Sequence, residues 1–94
     1  MIQQKLKIVN INDIETLEDN FNYNKIEQLK KDISINGQLK PINLHGKYFK
    51  NQKYQVWNGH HRLIALKELG FKKVIAIIDL NTILMFYNRK EVLK

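Results

Sequence analysis

Tyr54-Gln-Val-Trp-Asn-Gly-His-His-Arg-Leu-Ile-Ala-Leu-Lys-Glu-Leu-Gly70 decides how the rest of the chain is read. Tyr54, Val56 and Trp57 favour a strand. Asn58-Gly59 is a turn signal. Leu63, Ile64, Leu66 and Leu69 then fall on one helical face, and Gly70 sits where a helix C-cap wants glycine. A strand therefore ends, the chain bends at a glycine, and a helix begins with His60, His61 and Arg62 in its first turn. Backbone N–H groups without intrahelical partners and the positive end of the helix dipole collect at such a start. An arginine in the same place makes an anion site, with phosphate the obvious candidate.

Working outward, the apolar run Val74-Ile-Ala-Ile-Ile78 predicts a strand buried on both faces. Beyond it, Asp79 or Asn81 could cap a last helix over about 82–92, apolar on more than one side through Ile83, Leu84, Phe86, Tyr87 and Leu93. Such a helix suits an oligomer contact or docking to a larger partner. Upstream, Lys47–Lys50 and Lys53–Trp57 read as the arms of a hairpin turning near Asn51-Gln52. Ile42-Asn-Leu44 is a further strand, entered through Pro41 and ended by His45-Gly46. Ile26, Leu29 and Ile33 predict a helix over 25–35, with Asn24 as N-cap, Glu27 completing a capping box, and Asn36-Gly37 as its stop. Residues 6–11 read as the first strand, and the acidic stretch from Asp13 to Asn20 as a loop or short helical turn. The order β-α-β-β-β-α-β-α predicts one α/β or α+β domain over residues 1–94, with a small mixed sheet.

Composition bounds the chemistry. The 94 residues are 44% hydrophobic and 27% charged, ordinary for a soluble globular domain. The chain contains no cysteine, which excludes disulfides, thiolate catalysis and cysteine-ligated zinc. No stretch reaches the length of a membrane span and the first residues lack a signal-peptide core, so the default expectation is a cytoplasmic protein with no membrane partner. The net charge of +7 is uneven: five lysines face six acids in residues 1–36, while residues 37–94 carry nine lysines and two arginines against three acids. A polyanionic partner or a phosphorylated ligand fits that asymmetry, as does plain solubility in a lysine-rich chain.

Three pieces then stand in order: the helix end Ile33-Ser-Ile-Asn-Gly-Gln-Leu-Lys-Pro-Ile42, the strand-turn-helix carrying Asn58-Gly-His-His-Arg-Leu-Ile-Ala65, and Leu69-Gly70 followed by an apolar strand. This arrangement resembles the ParB/sulfiredoxin superfamily, and within it the ParB-like N-terminal domain, from about Ile8 to Ile78. The resemblance implies a nucleotide-phosphate site at the turn. In ParB proteins the motif runs Gly-Glu-Arg-Arg and helps bind cytidine triphosphate with magnesium. Gly59 matches that glycine and Arg62 the second arginine, while His60 stands in place of the glutamate and His61 in place of the first arginine. The segment from Gly37 to Ile42 resembles the part that borders the base, which brings in Gln38 and Lys40. Sulfiredoxin chemistry needs a cysteine in this turn and is excluded. The Gly-His-His-Arg form is also similar to shorter ParB-like members, some nucleases and some kinases of free serine. Those members often carry Asp where this chain has Asn58, and the kinase reading wants an acid after the first strand, for which Glu15 and Glu18 both qualify.

The expected ligand is thus a nucleoside triphosphate or diphosphate, with Mg2+ as a companion ion. Asn58, Gly59, His60, His61, Arg62, Gly37, Gln38 and Lys40 are the candidate binding residues, and His60 and Glu18 the candidate catalytic ones. Arg62 would clamp a phosphate through its planar fork. Adjacent helical residues point about 100° apart, so only one of His60 and His61 is expected to share a ligand with Arg62, the other capping or packing. That spacing also disfavours a two-histidine metal site. Three functions remain open: a nucleotide-binding ParB-type module, linked to DNA binding, partition or a mobile element; an enzyme, whether NTPase, small-molecule kinase or nuclease; and a basic nucleic-acid-binding protein gripping the backbone directly.

Overall fold

A computed structural model describes residues 4–16, 18–47 and 53–79. Within them lie five strands and two helices: β1 (Gln4–Asn10), β2 (Ile14–Glu15), α1 (Tyr23–Asn36), β3 (Ile42–Lys47), β4 (Tyr54–Asn58), α2 (His60–Glu68) and β5 (Lys73–Asp79). A single 3-10 turn, Ile11–Asp13, links β1 to β2. The strands form one mixed sheet in the order β1-β5-β3-β4-β2. β5 runs antiparallel to β1 and parallel to β3; β4 runs antiparallel to β3 and parallel to β2. The α+β class and the mixed sheet are as the sequence predicts. The last predicted helix, and the oligomer contact assigned to it, lie outside the described residues.

One face of the sheet makes the core. Val74, Ala76 and Ile78 of β5 are buried with Ile42 and Leu44 of β3, Ile26 and Ile33 of α1, and Leu63 and Leu66 of α2. Both helices therefore cover the same face. The register pairs Ile8 with Ile75 and Leu6 with Ile77, which puts all four on the opposite face. There Ile8 is 66% and Leu6 68% exposed. This corrects the reading of residues 74–78 as a strand buried on both faces: exposure alternates along β5, as in a sheet covered on one side.

The helix ends explain where the chain turns. Asn22, not Asn24, is the N-cap of α1, and its side chain accepts the backbone N–H of Lys25 at 3.3 Å. The helix thus begins two residues before the expected start. At the end of α2, Gly70 has φ 85°, its N–H donates to Lys67 O, and the N–H of Phe71 donates to Leu66 O, both at 3.0 Å. This pair of bonds is the Schellman arrangement, and it turns the chain straight into β5. Lys30 joins the two helices, with its ammonium 3.1 Å from the Glu68 carboxylate and 3.3 Å from that of Glu27. Hydrogen bonding to Glu68 first, and to Glu27 second, raises its pKa.

Two other expectations change. His45-Gly46 does not end the strand at Leu44: β3 continues through both, with register shifts against β4. The acidic stretch after β1 contains β2, whose Ile14 and Glu15 pair with Tyr54 and Gln55. Residues 48–52, where the hairpin turn was expected, are not among those described.

Candidate anion-binding site

Gly59 builds the site. It links β4 to α2 in the left-handed region, at φ 103° and ψ 25°. That conformation costs an L-residue about 1–2 kcal/mol. A Cβ there would also stand 3.3 Å from Arg62 Nη1 and 3.5 Å from Ile42 Cα. As the N-cap, Gly59 has no side chain to offer the first amides of the helix, and no side-chain cap bond is present. The amides of His60, His61 and Arg62 therefore face outward without helical partners. Buried Leu63, Ala65 and Leu66 anchor the rest of α2 to the core and hold this start in place.

The turn opens into a cleft of about 440 Å³. Its cations come from three places: Arg62 on α2, Lys25 in the first turn of α1, and Lys40 before β3. Leu29 and Pro41 supply apolar wall, and Asn43, Asn58 and His60 supply polar groups. A smaller recess of about 140 Å³ adjoins it, and Arg62, Lys40 and Leu29 line both. Arg62 thus stands at the junction, where Nη1 donates a long 3.4 Å bond to Pro41 O. The remaining guanidinium donors suit a bidentate oxyanion.

Both histidines line the cleft with Arg62, where only one was expected, but their ring nitrogens bond to different partners. The Nε2 of His61 accepts the backbone N–H of Asn22 at 3.0 Å, and its ring meets Phe21 edge-on with centroids 5.6 Å apart. His61 ties the chain entering α1 to the start of α2. His60 also lines the cleft, with its Nδ1 2.6 Å from the hydroxyl of Thr16.

Of the other candidates, Asn58 and Lys40 line the cleft with Gly59. The Nδ2 of Asn58 reaches Asn43 Oδ1 at 3.4 Å. Gln38 lines the adjoining recess, but its amide is committed to β5: Nε2 donates to Ile75 O and Oε1 accepts Ile75 N–H, each at 2.8 Å. Gly37 ends α1, donating its N–H to Ile33 O at 2.8 Å, and does not line the cleft. Glu18 is exposed in the loop after β2, where its carboxylate accepts the N–H of Asn20. Glu15 accepts a hydrogen bond from Gln55 at 2.5 Å. Neither carboxylate lines the cleft. Among the described residues no group of three His, Cys, Asp or Glu could hold a metal, and no helix is long and apolar enough to cross a membrane.

Sequence reading missed Thr16, Lys25, Leu29 and Asn43. Lys25 and Leu29 could have been found from the helical spacing of Leu29 to Ile33, which turns them with Ile26 towards α2. Thr16 gives no local signal, because it meets His60 across 44 residues.

Comparison with known proteins places the fold. The family model of the ParB N-terminal domain matches residues 2–84. No curated protein matches the sequence. The C-terminally truncated chromosome-partitioning protein ParB from Caulobacter crescentus, complexed with CTP-gamma-S, superposes with a TM-score of 0.69 at 21% identity, over 96% of this chain and 54% of that one. A free serine kinase in complex with AMP gives a TM-score of 0.69 at 20% identity, over 78% of this chain and 30% of that one. SbnI from Staphylococcus aureus, also truncated at its C-terminus, gives 0.64 at 31% identity, over 79% and 29%. The chain therefore spans only about a third to a half of the length of these proteins. With the family model matching over most of its length, the chain belongs to the ParB N-terminal domain family.

Proposed function

We propose that this chain is a nucleotide-binding domain that seats the phosphates of a nucleoside di- or triphosphate at the Gly59–Arg62 turn. The observation that carries the reading is the meeting of a glycine-built helix start with three cations, Arg62, Lys25 and Lys40, in one cleft. Helix amides and the dipole favour a negative group at that point, and the guanidinium and ammonium groups add to it. A volume of about 440 Å³ lies within the usual range for small-ligand pockets. Two of the structural neighbours carry nucleotides, CTP-gamma-S in one and AMP in the other, which supports the same class of ligand here. Family membership and the excess of lysine and arginine in residues 37–94 support a setting linked to DNA, in partition or in maintenance of a mobile element.

The test is a calorimetric titration with ADP, ATP and CTP, each with and without Mg2+. Micromolar binding that Arg62→Ala weakens by about tenfold or more supports the reading, since a charged hydrogen bond is worth about 1.5–3 kcal/mol. Equal binding by the parent and Arg62→Ala overturns it. A short DNA duplex bound with a steep salt slope, in the absence of nucleotide binding, would instead favour direct contact with a nucleic-acid backbone.

A further inference from the structure

We propose that Thr16 is a positioning residue that holds His60 in the tautomer with its proton on Nε2, so that the ring offers an N–H donor to an anion in the cleft. Two contacts lead there. The Thr16 hydroxyl oxygen lies 2.6 Å from His60 Nδ1. The same oxygen accepts the backbone N–H of Glu18 at 3.1 Å, which occupies one of its lone pairs and leaves its own hydrogen to be placed. A separation of 2.6 Å is shorter than the roughly 2.7–3.2 Å usual for an N–H donor to oxygen, which favours the hydroxyl as donor. With Thr16 as the donor, Nδ1 accepts.

An imidazole that accepts at Nδ1 and is neutral carries its hydrogen on Nε2. With Nδ1 turned to Thr16, Nε2 is the nitrogen left for the cleft that His60 lines. In this state Nε2 cannot take up a proton, so His60 serves the ligand as a hydrogen-bond donor and not as a base. His61 is fixed the other way round, because its Nε2 accepts the Asn22 N–H and its hydrogen must sit on Nδ1. Two consecutive histidines are thus held in opposite tautomers by the two ends of one loop, the connection between β2 and α1. The role assigned to Thr16 in binding rests on the phosphate reading above; the tautomer itself does not.

The experiment is a long-range nitrogen–proton correlation spectrum of the full 15N-labelled chain near neutral pH, paired with ADP titration. The expected spectrum shows a protonated Nε2 and a bare Nδ1 for His60, with the reverse for His61. Thr16→Val should move His60 towards a mixture of tautomers and weaken ADP binding by about fivefold, the scale of one hydrogen bond. Thr16→Ser should preserve both. A wild-type His60 protonated on Nδ1, or a Thr16→Val spectrum identical to the parent, overturns the proposal. Failure of the wild-type chain to bind ADP would count against the phosphate reading alone, while the spectra still decide the tautomer.

Discussion

The backbone N–H of Asn22 donates to Nε2 of His61 across 3.0 Å, joining the residue that caps α1 to the second residue of α2. Asn22 therefore works twice: its side chain closes the start of α1 through Lys25, and its amide holds that start against the site. His61→Ala removes this tie and the edge contact with Phe21. The Asn22 amide is near solvent and can turn to water, so the loss should be about 1–2 kcal/mol, one hydrogen bond plus an aromatic contact. Urea unfolding measures it. A variant as stable as the parent would show that the tie contributes nothing.

Gly59→Ala should damage binding and folding together. The backbone must hold φ 103° with a Cβ present, and that Cβ meets Arg62 Nη1 at 3.3 Å and Ile42 at 3.5 Å. The Ile42 distance is ordinary contact, so the tight neighbour is the Arg62 guanidinium, which must give by a few tenths of an ångström. Stability should fall by about 1–2 kcal/mol from the left-handed backbone alone. ADP affinity should fall as well, because the strained turn and the shifted guanidinium both belong to the proposed phosphate seat. Thermal unfolding and calorimetry read the two effects separately, and an unchanged affinity would mean that Arg62 finds its ligand by another route.

The parts of this molecule that were legible in the sequence are those specified locally. The spacing of Leu63 and Leu66, the glycines at 59 and 70, and the arginine between them place α2 and the anion turn without reference to the rest of the chain. Asn22 and Asn24 are equal as caps by local rules; the long-range bond to His61 accompanies the choice of Asn22. β2 is only Ile14–Glu15, too short for alternation to show. The expected end of a strand at His45-Gly46 failed because pairing with β5 carries β3 onward to His45, opposite Asp79. The far walls of the cleft, Lys25, Leu29 and Asn43, come from segments separated from the turn by sequence and brought to it by the sheet order.

Gln38 looked like a residue bordering a base, and the structure gives its amide a different partner. It bonds both polar groups of Ile75 and donates to Lys40 O at 3.0 Å, standing in for the strand partner that β5 lacks ahead of Ile42. Gln38→Ala should cost about 1–2 kcal/mol and speed hydrogen exchange at the Ile75 amide, since that group loses its acceptor. Gln38→Glu keeps an acceptor for Ile75 N–H but sets a carboxylate against two carbonyl oxygens. It should be less stable at neutral pH than in mild acid, where the protonated acid can donate again. An Ile75 amide that exchanges at the parental rate in both variants would remove Gln38 from the sheet.

The last prediction concerns pH. Burial pushes the His45 imidazole below its ordinary value of 6.5, and the nearby Asp79 carboxylate opposes that shift without cancelling it. Between the folded and unfolded values the unfolded chain binds more protons, so stability rises with pH across that window. The contribution of neutral His45 is fully present above about 6.5, is lost as the pH falls through the lower folded value, and levels off below it. Carboxylates titrate at lower pH still, so His45→Gln provides the control: it should lose less stability than the parent between about pH 7.5 and about pH 5.5. Trp57, the only tryptophan, has its ring centre 6.3 Å from that of His45 and gives a fluorescence signal for urea unfolding. Identical slopes of stability against pH in the two proteins would place the acid sensitivity elsewhere and leave His45 as a neutral filler of β3.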